Sequence, residues 1–293
     1  MTDIRIGVVG GSGLYQMEGL EVLEERRIDT PFGAPSDPFV IGRLEGQKVA
    51  FLPRHGKGHR LLPTELNYRA NIYGFKVLGV ERLISVSAVG SLKIEYAPKD
   101  IVVPDQFFDR TRHRVDTFFG DGLVAHVSLA KPICPALIDT FVEASEAAGA
   151  KVHKNGAYVC MEGPQFSTRA ESEVYRSWGM DIIGMTNLQE ARLAREAEIC
   201  YATLAMVTDY DAWHPGHDAV DVASVVRVLA ENRSRVQSLL ARLARDFPIE
   251  HEPCPYADQA LDGAVMTARE AWNPELVAKL DAVAGRVLRA PPR

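Results

Sequence analysis

Ala202-Thr203-Leu204-Ala205-Met206-Val207-Thr208-Asp209-Tyr210-Asp211 is an apolar run that ends in two carboxylates one residue apart. The run reads as a buried strand. Side chains at i and i+2 of an extended segment share a face, so Asp209 and Asp211 are expected to converge. Two acids held together separate in pKa, leaving one ionised acceptor and one group that retains a proton. The same tetrapeptide also fits a solvated acidic turn at a strand end. The rest of the chain decides between these two readings.

Outward from this run, short apolar segments alternate with amphipathic ones, the pattern of an α/β protein with helices packed on a largely parallel sheet. Strands are expected near 4–9, 38–44, 47–53, 82–88, 100–104, 153–162, 181–185 and 199–208. Helices are expected near 65–79, 135–149, 169–178, 187–198 and 219–245. The last carries Val222, Val225, Val226, Leu229, Val236, Leu239, Leu240 and Leu243 at helical spacing and is expected to face the core. A Pro-containing connector, His251-Glu252-Pro253-Cys254-Pro255, then leads to two further helical patterns, the second with Asn273 as N-cap and Pro274 at N1. The expected division is a main domain over 1–247 and a helical extension over 248–293, packing on its own or a neighbouring subunit.

The 293 residues are enough for one large core. A formal charge of −6, with no basic stripe around Arg110 and Arg112, excludes nucleic acid as a partner. The chain runs directly into Ile4-Arg5-Ile6-Gly7-Val8-Val9 without a basic, apolar leader, and no segment has transmembrane length, so a cytoplasmic location off the membrane is expected. Cys134, Cys160, Cys200 and Cys254 lack CxxC spacing. They are expected to be buried apolar residues, with neither zinc site nor disulfide framework.

Polar groups recur just past the C-terminal ends of separate strands, where open α/β sheets place ligands. The first strand empties into Gly10-Gly11-Ser12-Gly13, whose amides and hydroxyl suit an anion, although Gln16 stands where a dinucleotide fingerprint needs its third glycine. Arg54 follows the third expected strand as a bidentate donor for phosphate, with His55 beside it. The spacing of His55 and His59 would suit a metal only on a helix, which Gly56 and Gly58 disfavour. The strand ending at Ser87 runs into Ala88-Val89-Gly90-Ser91, a glycine-containing turn with a hydroxyl, and Thr186 adds a further hydroxyl beside the helix N-terminal amides that open at Asn187. After Asp211, Trp213-His214-Pro215-Gly216-His217-Asp218 reads as a flexible loop over the site, with a metallohydrolase as its rival. An acceptor beside a proton donor is complementary to an aminopurine, through its exocyclic amine and N7.

Gly10-Gly11-Ser12-Gly13, Pro53-Arg54-His55-Gly56, Asn67-Tyr68-Arg69-Ala70-Asn71, Glu162-Gly163-Pro164-Gln165-Phe166-Ser167, Gly184-Met185-Thr186 and Thr208-Asp209-Tyr210-Asp211 together resemble the 5'-methylthioadenosine phosphorylase family of the purine nucleoside phosphorylase superfamily. The likeness covers about residues 4 to 245. It implies a three-layer αβα fold with a mixed central sheet, a homotrimer with sites near subunit interfaces, and no metal or organic cofactor, phosphate being a co-substrate. It places phosphate on Ser12, Arg54, His55, Ser87, the Ala88 amide and Thr186. Ser12 and Ser87 depart from the threonines common in the animal enzymes but keep the hydroxyl. Met185 would lie under the ribose, Phe166 against the purine and Ser167 near the base. Val222 and Val225 would line the methylthio pocket, and His126 would enter from a neighbouring subunit.

The implied reaction joins 5'-methylthioadenosine and phosphate to give adenine and 5-methylthioribose 1-phosphate. Asp211 is the expected general acid at N7, and Asp209 the acceptor from the 6-amino group. A phosphorylase for 6-oxopurines or methylthioinosine, a hydrolytic nucleosidase and a non-catalytic nucleoside-binding module are the alternatives.

Overall fold

A computed structural model of the chain describes residues 4–11, 13–14, 16–216, 221–247 and 253–291. Ser12 of the expected phosphate set and His217 of the expected loop lie outside the described residues. Eleven strands form one mixed sheet among the described residues: β1 (Ile6–Gly10), β2 (Glu21–Arg26), β3 (Phe39–Leu44), β4 (Gln47–Pro53), β5 (Arg82–Ser91), β6 (Ile101–Val103), β7 (Gln106–Arg110), β8 (Val152–Lys154), β9 (Ala157–Met161), β10 (Ile182–Gly184) and β11 (Cys200–Asp209). The α-helices are α1 (Tyr68–Val77), α2 (Pro135–Ala147), α3 (Arg169–Ser177), α4 (Asn187–Glu196), α5 (Val222–Asp246), α6 (Pro274–Lys279) and α7 (Asp281–Leu288). The α/β class and mixed sheet expected from the sequence are present.

β5 organises the molecule, and its ten residues explain why. It pairs in parallel with β11 along most of its length and with β1 only as far as Ser85. Antiparallel pairing with β10 begins at Gly90. Between Ser85 and Gly90 one edge of β5 has therefore left β1 and not yet met β10. Sheet neighbours change there, the kind of gap in which α/β folds bind ligands. β1, β4, β5 and β11 run in one direction, so their C-terminal ends open on that gap.

Two expectations about strands are corrected. The single strand expected over 153–162 is two, because Asn155 and Gly156 take positive φ of 68° and 148° and turn the chain. β8 then pairs with β6, while β9 pairs with β7 and β10. β2 and β7 were not expected. β2 is exposed along almost its whole length and β7 alternates between exposed and half-buried, so neither carries the apolar run that marks a buried strand.

The expectation that α5 faces the core holds from Val228 onward and fails over its first turns. Val228, Asn232, Val236, Leu239, Leu240 and Leu243 are buried, while Val222 and Val226 are more than half exposed. Past α5, Cys254, Leu261, Leu276, Leu280, Val283 and Leu288 join the same core as β1, β4 and α1. The extension thus packs on its own chain, with the Arg286 guanidinium donating to Glu198 at 2.5 and 2.7 Å. No described helix is long and apolar enough to cross a membrane.

Candidate active site

The gap beside β5 is floored by a buried polar network. Arg54 leaves β4 in a turn tied back to the end of β1, its backbone N–H donating to the Gly10 carbonyl at 2.9 Å. Arg54 is 4% exposed, and each of its three side-chain nitrogens is engaged. Nε and one terminal nitrogen close on the Glu190 carboxylate at 2.5 and 3.2 Å, and the terminal nitrogens also donate to the Val86 carbonyl and Ser85 Oγ at 2.9 and 2.6 Å. Burial alone would lower the Arg54 pKa, but Glu190 overrides this and holds it above its ordinary value. The fork expected to face phosphate therefore faces Glu190, because a guanidinium this deep requires a carboxylate partner. Ser85 and Tyr201 hydroxyls also donate to Glu190 at 3.0 and 2.9 Å. Asn187 extends the network, donating to Ser85 Oγ at 2.7 Å and accepting from the Tyr158 hydroxyl at 2.8 Å.

Above this floor stand the expected hydroxyls. Ser87 and Thr186 are buried, at 7% and 4% exposure. Thr186 is the N-cap of α4, yet its side chain makes no capping bond, so the hydroxyl and first-turn amides share the site-facing end of the helix. Ala88 lies on β5 one residue beyond Ser87. His55 is held by a bond between Nδ1 and the Leu61 carbonyl at 2.9 Å and stacks on His59 at 4.2 Å. Burial lowers its pKa to about 4, so it is neutral near pH 7.

The carboxylate pair forms the far wall, by a different geometry from that expected. β11 ends at Asp209, and Asp211 opens a 3-10 turn over Asp211–Trp213 with φ of 47°, so a turn and not strand alternation brings the acids together. The Asp211 N–H donates to Asp209 Oδ1 at 2.8 Å, and Thr208 Oγ1 donates to Asp209 Oδ2 at 2.7 Å. Asp211 is 7% exposed and its Oδ2 has no hydrogen-bond partner among the described residues. Both acids have raised pKa, and for both burial is the main cause. Ser172 and Ser167 temper the rise at Asp211, although Ser172 Oγ and Asp211 Oδ2 lie outside hydrogen-bond geometry. Both acids shift the same way, and mutual repulsion is a minor cause at Asp209; the difference between them is in geometry. Asp209 accepts two hydrogen bonds that favour its charge, and Asp211 keeps a buried oxygen bare. Gly90 sits against them because a Cβ there would lie 3.0 Å from Asp209 Oδ1 and 3.3 Å from Asp211 Cβ.

Arg114 joins the two walls and was not among the expected residues. It donates to the Met185 carbonyl, to Gln189 Oε1 at 2.9 Å, and to the Glu162 carbonyl at 2.6 Å, with its side chain 1% exposed. Glu162 in turn accepts from Thr64 Oγ1 and the Arg112 N–H, both at 2.5 Å. Met185 is half-buried against Gly163, where a Cβ would approach its sulfur to 2.6 Å. Phe166 is 40% exposed, and Ser167 Oγ contacts Met161 Sδ at 3.7 Å. Val222 and Val225 stand on the open first turn of α5 and are exposed and half-buried. His126 lies elsewhere, in a cavity with Asp116, Arg192 and Glu196 near the C-terminal end of α4, about 15 Å along that helix from Thr186.

Residues 5–245 match the family model described as the phosphorylase superfamily. A protein named S-methyl-5'-thioadenosine phosphorylase from Bradyrhizobium diazoefficiens is 57% identical over 99% of this chain and 100% of its own length. One of the same name from Koribacter versatilis is 56% identical over 96% of each chain. A crystal structure of methylthioadenosine phosphorylase from an antarctic soil metagenomic library superposes with a TM-score of 0.90 at 49% identity, covering 97% of this chain and 99% of that one. Methylthioadenosine phosphorylase from Schistosoma mansoni in complex with adenine superposes with a TM-score of 0.81 at 31% identity, over 96% and 98%.

Proposed function

The chain belongs to the phosphorylase superfamily, and from that premise we propose that it cleaves 5'-methylthioadenosine with inorganic phosphate, giving adenine and 5-methylthioribose 1-phosphate. One observation supports this choice above others. A buried acid pair, one member bonded as an anion and the other with a bare oxygen, faces the same gap in the sheet as an uncapped helix N-terminus. The first arrangement suits an aminopurine and the second suits an oxyanion.

As the C1'–N9 bond loosens, positive charge builds on the ribose and negative charge on the base. Asp211, whose pKa burial raises, delivers its proton to N7, and Asp209 accepts from the 6-amino group. A 6-oxopurine would set a carbonyl oxygen against the Asp209 carboxylate, at a cost of about 1–3 kcal/mol. Phosphate, received by Thr186, Ser87, the Ala88 amide, His55 and Ser12, waits on the opposite face of the ribose, so that positioning and charge stabilisation supply much of the acceleration. Arg54 serves from below: with Glu190 it fixes Ser85 and the start of α4 under the anion, and its raised pKa keeps it charged. Met185 underlies the ribose, Phe166 and Ser167 meet the base, and Val222 and Val225 cover the methylthio group.

His126 is too far along α4 to serve its own chain, so it completes the site of a neighbour in a homotrimer. The enzyme works in the cytoplasm, and the reaction uses no metal or organic cofactor. A phosphate-dependence assay comparing methylthioadenosine, adenosine and methylthioinosine tests the whole reading. Turnover of methylthioadenosine should vanish without phosphate and exceed that of methylthioinosine with it. Undiminished cleavage in phosphate-free buffer would identify a hydrolase instead.

A further inference from the structure

Three of the four cysteines, expected to be scattered core residues, meet. Cys134 is the N-cap of α2, Cys200 the first residue of β11, and Cys254 lies in the segment after α5. All three are buried, and their sulfurs lie within 4.8 Å of one another. Cys134 Sγ and Cys254 Sγ are 3.2 Å apart. A carboxylate borders the cluster on the Cys200 side: Asp258 Oδ1 accepts from Cys200 Sγ at 3.8 Å, outside the trio of mutually close sulfurs, so that a modest side-chain shift would bring it in as a fourth ligand, while Asp258 Oδ2 accepts from the Cys254 N–H at 2.6 Å. Backbone bonds tie the parts together, since the Cys134 N–H donates to the Tyr201 carbonyl and the Asp258 N–H to the Cys254 carbonyl, both at 3.0 Å.

We propose that Cys134, Cys200, Cys254 and Asp258 form a structural site for a thiophilic divalent cation, zinc being the natural occupant. Zinc–sulfur bonds of about 2.3 Å at tetrahedral angles separate sulfurs by about 3.8 Å, inside the spread of separations here. Binding requires the three thiol protons to leave for solvent, so the site carries four negative charges against the ion's two. Two cations offset the remainder: Arg82, opposite Cys200 in the β5–β11 register, and Arg195, which interacts electrostatically with all three cysteines. A disulfide would use two of the three sulfurs and give Asp258 no part, whereas a metal uses all four groups.

The site is remote from the chemistry. Cys200 begins β11 and Asp209 ends it, and ten extended residues span about 30 Å. Its effect is therefore to pin the C-terminal extension to α2 and the sheet, with closed coordination and no open position for a substrate.

The test is elemental analysis of the full-length protein, expressed with added zinc and purified in reductant without chelator. About one zinc per chain is expected, lost in C134A/C254A and retained in C160A, which alters the one cysteine outside the cluster. Cobalt-substituted parent protein should show thiolate-to-cobalt charge-transfer and tetrahedral visible bands, a readout that stands even if the double variant fails to fold. D258N should bind the metal more weakly. Stripping zinc with a thiol-directed mercurial should lower the Tm. Protein that holds neither zinc nor cobalt while all four thiols titrate as free overturns the proposal, as does a native Cys134–Cys254 disulfide found by mass spectrometry.

Discussion

Asp211→Asn separates the catalytic proton from nearly everything else at the site. Asparagine is almost isosteric and tolerates the left-handed backbone found there at φ of 47°. The backbone N–H that bonds Asp209 Oδ1 at 2.8 Å is untouched. The amide can still offer a hydrogen bond to N7 but cannot surrender a proton. Loss of a positioned general acid lowers kcat by about 10²–10⁴-fold, equivalent to about 3–5 kcal/mol. Stability should move the other way. A carboxylate whose folded pKa lies above its unfolded one contributes stability that is present below the unfolded pKa and lost as pH rises through the folded pKa. Asp211 is such a group, raised chiefly by burial, so at neutral pH keeping it out of water carries a penalty that the amide does not. D211N should therefore be at least as stable as the parent at pH 7, with the difference shrinking in acid. The assay pairs initial rates of adenine release in phosphate across a pH series with denaturant unfolding of both proteins. The alkaline limb of the parental rate profile should disappear in the variant. A D211N enzyme that keeps more than about a tenth of the parental kcat, above the smallest loss expected for a general acid, refutes the assignment.

Glu190→Gln removes the carboxylate that accepts from Arg54, Ser85 and Tyr201, and leaves a buried guanidinium without its countercharge. The expected loss is about 3–5 kcal/mol of folding stability, read as a lower denaturant midpoint, and an unchanged midpoint would show that Arg54 does not depend on Glu190. Glu196→Gln tests burial at the other end of α4, where the carboxylate accepts from Thr117 Oγ1 and the Phe118 N–H at 2.7 Å each and its pKa rises from 4.5 to about 7, burial being the main cause. Its contribution is present below pH 4.5 and is lost as pH climbs through about 7, an upper limit of about 3 kcal/mol. E196Q should gain on the parent over that window, and parallel stability curves for the two proteins would exclude the shift.

What the sequence made legible follows from how local each signal is. β1, β4, β5 and β11 are apolar runs buried almost throughout, so pattern alone locates them, while α4, buried on almost every side despite its polar residues, is located by its place between two strands. β2 and β7 carry no such run because the sheet edges they occupy are wet. Asp209 and Asp211 are legible as a pair because two residues of chain cannot separate them far, although the positive φ that joins them leaves no mark in the side chains. Arg54 is legible as a cation just past a strand end, and only the fold reveals that its fork closes on Glu190, 136 residues further on. The same distance hides Arg114, whose partners Tyr68, Met161, Glu162, Met185 and Gln189 come from four stretches of chain, and the thiol cluster, whose members are 66 and 54 residues apart along the chain. The division is physical. Strand ends and turn chemistry are set by neighbours in sequence, whereas burial of charge demands a partner that only the sheet can deliver. The polar groups at strand ends were therefore the easier half to read, and the groups that hold them rigid required the fold.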